Sequence, residues 1–440
     1  MQLSGWGRYP RAECRLLRPR ALDDVSALVG QTPLIARGNG RAYGDAALGA
    51  PETLAMGQFN RMLAFDEASG ILTAQAGVQL AEVIDVFLPR GWFPAVTPGT
   101  KFVTIGGAIA ADVHGKNHHK DGSFSTCVEW IDLAGPDGTV RRASKAENPE
   151  LFAWTCGGMG LTGVILRAAI RLRRVESGWI RQRSHPAPGL RSAMALFEEN
   201  HAATYSVAWI DCLAGGQSLG RSLVMTGEHA EAGELTPRES ADRFVRQGKR
   251  AKAVPFDFPQ IALNPLSVRA FNELYYGVGA WNRGEGLIDY DSYFYPLDAL
   301  LEWNRIYGRR GFAQFQCVIP LAAAEAGVAA LLRRIASSGQ GSFLAVLKRM
   351  GPQESRFSFP MEGYTLALDF PVKDASAALF TELERIVIDH GGRFYLAKDA
   401  FLSPEALRAA DRRTGQFTAM RAASGSAGRF VSALSERLEL

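Results

Sequence analysis

Pro98-Gly-Thr-Lys-Phe-Val-Thr-Ile-Gly-Gly-Ala-Ile-Ala-Ala-Asp-Val-His-Gly-Lys-Asn-His-His119 sets glycines, small side chains and hydroxyls directly before a polar cluster. A backbone of this composition can lie against a large ligand. Gly99, Gly106 and Gly107 lack the Cβ atoms that would hold a phosphate or ring away, and they permit positive-φ turns that present successive N–H groups to an anion. Thr100 and Thr104 add hydroxyl donors. Upstream, Arg37-Gly-Asn-Gly-Arg-Ala-Tyr-Gly-Asp45 follows the apolar, strand-like Pro33-Leu-Ile-Ala36, the order expected of a strand feeding a pyrophosphate cradle. The spacing matches neither a G-x-G-x-x-G that opens a helix nor G-x-x-x-x-G-K-[ST], which disfavours an ordinary Rossmann or P-loop reading. One such loop is equally well explained as a tight turn. A third glycine run, Cys156-Gly-Gly-Met-Gly-Leu-Thr-Gly163, weighs against three unrelated turns.

The rest of the chain bounds the setting. At 440 residues it exceeds a single core, so two domains are expected. A hydrophobic fraction of 47% and a charged fraction of 21% are ordinary for a soluble globular protein. A net charge of +4 gives no support for nucleic-acid binding. Cys14, Cys127, Cys156, Cys212 and Cys317 are odd in number, widely spaced and without a C-x-x-C pair. They read as buried free thiols in a reducing compartment, and no metal site is predicted. The first ten residues lack a basic segment followed by an apolar core, and no later stretch approaches eighteen consecutive apolar residues. The expectation is a cytoplasmic protein, or one peripheral on the inner membrane, with the periplasmic side left open.

From Ala21 to about Val175, short β-like runs alternate with turns and helices: 33–37, 71–76, a helix over 80–88, 128–133 and 139–142. Asp137-Gly138 between two of these runs is a hairpin signal. The strand-like run from Gly163 to Arg174 ends the unit, and a domain boundary is placed there. The middle section contains a helix from Ser192 to Asn200, a strand from Tyr205 to Asp211 and an irregular stretch from about Gly227 to Asp291. In that stretch, Arg243-Phe-Val-Arg-Gln-Gly-Lys-Arg-Ala-Lys252 precedes Val254-Pro-Phe-Asp-Phe-Pro259, with Tyr275, Tyr276 and Trp281 beyond. Basic residues beside aromatics suit an anionic membrane surface, and equally a solvated helix and loop. The section from Ala377 to Leu440 returns to helix, strand and helix.

His114, Lys116, Asn117, His118 and His119 follow the glycine-rich stretch, at the reactive end of whatever it binds. Metal ligation lacks a companion acidic or cysteine set, and a structural role for His118 and His119 stays open. Lys398 lies between apolar neighbours on a short strand or turn, where its pKa shifts if it is desolvated; taken alone it reads as a surface lysine. Gln314 and Gln316 alternate on a probable strand and share a face, suited either to hydroxyl recognition or to a solvent-facing edge.

These residues carry a resemblance. Gly38-Asn-Gly-Arg-Ala-Tyr-Gly-Asp45, His114-Gly-Lys-Asn-His-His119, Gly157-Gly-Met-Gly-Leu-Thr-Gly163, Tyr295-Pro-Leu-Asp298, Glu302-Trp-Asn-Arg305, Gln314-Phe-Gln-Cys-Val-Ile-Pro320, Asp369-Phe-Pro371 and Ala397-Lys-Asp399 resemble the vanillyl-alcohol-oxidase-type FAD flavoproteins. Within them, the chain closely resembles the decaprenylphosphoryl-β-D-ribose 2-oxidase family. The resemblance implies an α+β fold of two domains: an FAD-binding domain from residues 1–175 and 376–440, and a substrate domain from 176–375 built on an antiparallel sheet. It implies oxidation of the 2-hydroxyl of a polyprenylphosphoryl ribofuranose, completed to C2 epimerisation by a short-chain NADH- or NADPH-dependent keto-reductase partner. The alternative is an FAD oxidase or dehydrogenase of a soluble sugar, alditol or aldonolactone.

Residue by residue, the resemblance implies catalytic roles for Lys398, Tyr43, His114 and Gln316. It implies cofactor contacts at Arg37, Gly38, Asn39, Gly40, Arg41, Ala42, Tyr43, Gly44, Gly99, Thr100, Thr104, Gly106, Gly107, Ala111, His114, Gly115, Asn117, Gly163, Val164, Ile165, Tyr395 and Lys398. Substrate contacts fall on Gln314, Gln316, Lys348, Phe294 and Lys116. Either Lys398 or Tyr43 is the proton acceptor. The chain departs from the family at Ala367 and Ala111, where members carry cysteines, and at Phe294, where tyrosine also occurs. An inhibitor that bonds to the thiol at the first position has none to attack at Ala367. Many wider relatives attach FAD through a histidine in the first glycine loop; Arg41 stands there in this chain, implying noncovalent FAD.

Overall fold

Leu34-Ile-Ala-Arg37 forms the strand its apolar run predicts, pairing in parallel with Glu52–Ala55, which pairs with Arg15–Leu17 on its other side. The helix Leu22–Gln31 crosses this sheet; Val25 and Val29, four residues apart and so on one face, are buried against Leu34 and Leu54. The computed structural model describes residues 1–49, 52–245, 252–259, 263–342 and 344–440.

A second, antiparallel sheet orders Val140–Ser144, Val128–Ala134, Val164–Arg174, Ile71–Gln75 and Met62–Asp66, with Trp92–Pro94 added to the end of Val164–Arg174. The Asp137-Gly138 turn closes its first hairpin, Gly138 at φ 76°. Beyond Arg174 the chain enters an eight-stranded antiparallel sheet. Its order is Gly284–Asp289, Trp179–Ala187, Ser222–His229, Tyr205–Ile210, Ala345–Met350, Gly363–Pro371, Phe312–Pro320 and Arg393–Phe394. The helices Leu190–Glu199, Ala324–Ser338 and Ser376–Asp389 bury Phe197, Leu332 and Leu383 in the core that includes one face of this sheet, each side chain contributing about 1.5–3 kcal/mol. Alternate residues on the other face, among them Val207, Trp209, Gln314, Gln316, Val346, Lys348 and Ala367, line a cavity.

Two expectations need correction. The stretch from Gly227 to Asp291 is not irregular: it holds the helix Pro265–Trp281 and the strand Gly284–Asp289. Asn264 caps that helix by accepting from the N–H groups of Leu266 and Ser267, and Pro265 occupies its first turn. The helix escapes a periodicity search because much of its apolar surface faces outward, with Leu266, Leu274, Val278 and Trp281 exposed. Residues 376–394 also do not return to the first unit. Ser376–Asp389 packs its apolar face into the core of the large sheet, and Arg393–Phe394 forms that sheet's last strand. The chain rejoins the N-terminal elements from Tyr395 onward: Tyr395 donates its hydroxyl to Ala111 O, Ala397 O accepts from Tyr43 N–H, and further on Leu34 and Phe430 form a parallel bridge while Leu34 donates its N–H to Arg429 O.

Candidate active site

The cavity, about 400 Å³, opens between the glycine loops and the inner face of the large sheet. In the first loop, Gly38 packs so tightly on Thr104 that a Cβ would come within 2.2 Å of its hydroxyl, and Gly40 turns at φ 63°. Among the described residues, the N–H groups of Asn39, Gly40, Arg41 and Ala42 meet no protein acceptor, although all four residues line the cavity. Four successive free donors form an anion cradle.

The second loop works differently from its sequence reading. Gly99, Gly106 and Gly107 have no positive φ; Gly106 and Gly107 lie in the first turn of the helix Ile105–Ala110. Their contribution is closeness, since a Cβ on Gly106 would sit 2.8 Å from that of Ala76. The threonine hydroxyls are used inside the protein. Thr104 Oγ1 accepts from Gly107 N–H at 3.2 Å, and Thr100 Oγ1 donates to Asp298 Oδ2 at 3.1 Å.

Of the residues expected at the cofactor, Arg37, Gly44, Asn117 and Val164 do not line the cavity. Arg37 turns back to donate to the carbonyls of Ser4 and Ala47, and Gly44 lies against the Asp399 carbonyl. Asn117 Nδ2 donates to Ala95 O and Asp121 Oδ2, and Val164 packs with Val25 and Leu34. The His/Lys/Asn cluster divides in the same way: His114, Gly115 and Lys116 face the cavity, while His118 bonds to Gln353 at 2.9 Å and His119 to Ala203 O at 2.8 Å. The other expected residues, including Ala111, Gly163, Ile165, Phe294, Gln314, Gln316, Lys348, Tyr395 and Lys398, line one continuous wall.

At the sheet end of the cavity, Lys398 Nζ sits 3.4 Å above the centre of the Tyr43 ring. The His114 ring is held at both nitrogens, Nδ1 3.0 Å from Lys348 Nζ and Nε2 3.0 Å from the Gln316 amide. Gln316 also donates to Thr365 Oγ1, and Gln314 donates to Asp369. Lys116 donates to the Tyr293 carbonyl, with its ammonium 4.1 Å from the Tyr293 ring centre. Burial is the main influence on every one of these groups. It pulls Lys348 down to about 8 and, with Lys348 nearby, Lys116 to about 7. Burial, Lys348, His118 and Lys398 hold His114 neutral, well below the usual histidine value. Lys398 is lowered by burial against the opposing pull of Asp369, whose own carboxyl is raised by burial. Burial and the nearby Asp369 and Asp298 push the Tyr43 phenol well above its usual value.

Two wall residues and one behind the wall carry geometry that sequence reading did not single out. Asp298 accepts from Lys101 N–H at 2.8 Å as well as from Thr100. Trp6 stacks under Arg41, 4.2 Å from its guanidinium carbon. Asp369 stands behind Gln314. Asp298 and Asp369 sit in quoted motifs that already marked them; for Trp6 no sequence signal exists.

A family model described as an FAD binding domain matches residues 15–144. Over its whole length, the chain is 34% identical to a decaprenylphosphoryl-β-D-ribose oxidase of Mycolicibacterium smegmatis, covering 97% of that protein. The chain belongs to the decaprenylphosphoryl-β-D-ribose oxidase family. It is an FAD-dependent oxidoreductase. An uncharacterized protein of Streptomyces coelicolor is 33% identical over 82% of the chain and all of its own length. Similarity to mouse L-gulonolactone oxidase is 28% over 30% of each chain.

The residues present fit FAD. The four free N–H groups of the first loop and the glycine-lined gap beside them suit a pyrophosphate, and Arg41 contributes a buried Nε with no protein partner. The apolar wall of Val113, Ile165 and Val207 suits a flavin ring.

Proposed function

We propose that the protein oxidises the 2-hydroxyl of a polyprenylphosphoryl-β-D-ribofuranose to the 2-ketone, the first half of a C2 epimerisation. The convergence of Lys116, His114–Lys348 and Lys398 with Gln314 and Gln316 at one end of the cavity carries this reading. Desolvated lysines with lowered pKa values favour an anionic guest, because a phosphate restores their ammonium form. The two glutamines offer amides for ribose hydroxyls. FAD, when bound, supplies the acceptor for the hydrogen leaving the carbinol carbon.

The protein's own task is to orient the sugar and take the hydroxyl proton. Tyr43 is poorly suited to that, since burial and Asp369 oppose its phenolate. Lys398 is well suited: burial favours its neutral amine, and the Tyr43 ring face and Asp369 stabilise the ammonium that forms. Tyr43, His114 and Gln316 then act as platform and fixed frame for Lys398 and the sugar, and Phe294 and Lys116 complete the substrate wall.

The partners in this reading are a short-chain NAD(P)H-dependent keto-reductase, which the ketone product requires, and a membrane surface. No helix among the described residues is long and apolar enough to cross a membrane. The helix Pro265–Trp281 supports surface contact instead, with Leu266 77% and Trp281 88% exposed. Phe271 stacks on Tyr275 at 5.6 Å and Tyr275 packs on Trp209 at 4.8 Å, an aromatic path from the helix face into the cavity. Most of the basic segment 243–252, at 246–251, lies outside the described residues.

The soluble-sugar reading draws on the lactone-oxidase similarity, which spans less than a third of the chain. Anaerobic flavin absorbance separates the two. Bleaching by a polyprenylphosphoryl ribofuranose and not by ribitol, xylitol or an aldonolactone, lost in Lys398→Ala, is the expected result. Bleaching by a free polyol or lactone alone would overturn it.

A further inference from the structure

Tyr43 and Lys398 are 355 positions apart in sequence, yet they meet at one stacking contact. Two short segments hold them: the first glycine loop, which continues into Gly44 and Asp45, and the turn that continues from Lys398 into Asp399. Their backbones touch. Tyr43 N–H donates to Ala397 O at 2.9 Å, and Gly44 lies so close to Asp399 O that a Cβ there would come within 1.7 Å. This approach puts two carboxylates side by side, each next to or two residues from a member of the stacked pair. Asp45 and Asp399 are both largely buried, with side chains 3% and 11% exposed.

One cation joins them. Arg437, on the helix Ala433–Arg437, donates Nε to Asp45 Oδ2 at 2.9 Å and Nη2 to Asp45 Oδ1 at 2.8 Å, a two-pronged pair. The same Nη2 donates to Asp399 Oδ2 at 2.8 Å, and Nη1 donates to Leu402 O at 2.6 Å. Asp399 uses its other oxygen to accept from the N–H groups of Phe401 and Leu402, which fixes the turn beyond Lys398. Glu384, buried on the helix Ser376–Asp389, adds a third acid to the same electrostatic cluster, its carboxyl pushed up to about 7 by burial and Asp399 against the pull of Arg437. Without Arg437, two buried carboxylates would face each other across the seam that aligns the stacked pair.

We infer that Arg437 is a positioning residue for the reaction: by clamping Asp45 to Asp399 it locks the Tyr43 loop against the Lys398 turn and sets the electrostatic field in which Lys398 works. It does not line the cavity. The inference rests on Lys398 being the proton acceptor proposed above, so its test includes a readout that needs no turnover. Other groups face Lys398 from the surrounding elements: Tyr43 from the first loop, Asp369 from Gly363–Pro371, Lys348 from Ala345–Met350 and His114 from the segment after Ile105–Ala110. All four are untouched in the variants below.

Removing Arg437 leaves Asp45 and Asp399 unneutralised, which favours the Lys398 ammonium. Removing the Asp399 charge leaves Arg437 in excess, which favours the amine. Arg437→Met and Asp399→Asn therefore push Lys398 in opposite directions, whereas loss of a purely structural strut would not produce opposite signs. The measurement is the pH dependence of acetic anhydride labelling of Lys398 in the FAD-loaded protein, read by peptide mass spectrometry, with the pH profile of anaerobic flavin reduction beside it. The expected result is a shift of roughly half to one pH unit upward in Arg437→Met and downward in Asp399→Asn. Arg437→Lys should recover most of the wild-type profile, and kcat in Arg437→Met should fall about tenfold or more with little change in KM. A labelling midpoint that stays in place in the folded variants, or moves the same way in both, overturns the inference. If Arg437→Met does not fold, Asp399→Asn decides alone: its polar caps persist and only its charge is lost, so an unmoved or upward-shifted midpoint is fatal. A shifted midpoint with no flavin reduction by any lipid-linked sugar would instead sustain the clamp and remove the proposed substrate.

Discussion

Lys398 stands between opposed influences, and their signs make its role measurable. Burial and Lys348 favour its amine, while Asp369 favours its ammonium. If the amine takes the substrate proton, flavin reduction is slow at acid pH and rises as pH passes upward through the lowered Lys398 value, well short of the ordinary lysine range. Asp369→Asn removes the group that supports the ammonium, so the acid limb should move to lower pH. Lys348→Met removes a like charge, so the limb should move to higher pH. Stopped-flow reduction rates against pH in the two variants check this; shifts in the same direction would remove Lys398 from the acceptor role. Legibility at this scale was uneven. Gln314 and Gln316 could be found because strand alternation fixed their shared face; Lys398 alone reads as a surface lysine and is marked by the resemblance. Arg37 and Asn117 were assigned to the cofactor because their neighbours belong there, but a sequence does not show that a guanidinium folds back onto Ser4 and Ala47.

At the scale of elements, strands with internal alternation were legible and elements whose apolar side faces out were not. The run Phe312–Pro320 announced its register, and the fold keeps it, placing Gln314 and Gln316 together on the cavity side. The helix Pro265–Trp281 was missed because a surface helix is ordinarily sought by the face it buries, and this one buries little beyond Val268 and Asn272. Its cap, Asn264-Pro265-Leu-Ser267, was the signal available. The exposed face yields a prediction of its own. Wild-type protein should cosediment with vesicles of anionic phospholipid, and replacing Leu274, Val278 and Trp281 together by serine should lower the bound fraction about tenfold or more while leaving thermal stability nearly unchanged, since these side chains contact solvent. Equal cosedimentation of the triple variant would assign membrane contact to another surface, or to none.

For the whole molecule, the cavity's walls are gathered from Trp6 to Lys398, so a cofactor bound there would join elements from nearly the full length of the chain. Sequence reading places the return at residue 376, whereas the first contacts with the N-terminal elements come at Tyr395 and Ala397. The helix Ser376–Asp389 has an apolar stripe that suits either core equally well in sequence, and only the position of the large sheet decides between them. A cofactor held this way need not be bonded to the chain, and among the described residues no histidine or cysteine at the cavity is free to bond it. His114 is its one histidine, with both ring nitrogens engaged; no cysteine lines it; and Tyr395 donates its hydroxyl to Ala111 O. Where wider relatives carry a linking histidine, Arg41 lies between Trp6 and Phe102. Acid precipitation of the yellow protein should therefore release all of its flavin to the supernatant. Added FAD should also stabilise the flavin-free chain, by about 2.7 kcal/mol at a hundredfold excess over Kd. Because both units share the ligand, calorimetry should show the gain across the main transition and not in one early-melting part. Flavin retained in the acid pellet would overturn noncovalent binding, and a bond to His114 would require it to give up Lys348 or Gln316.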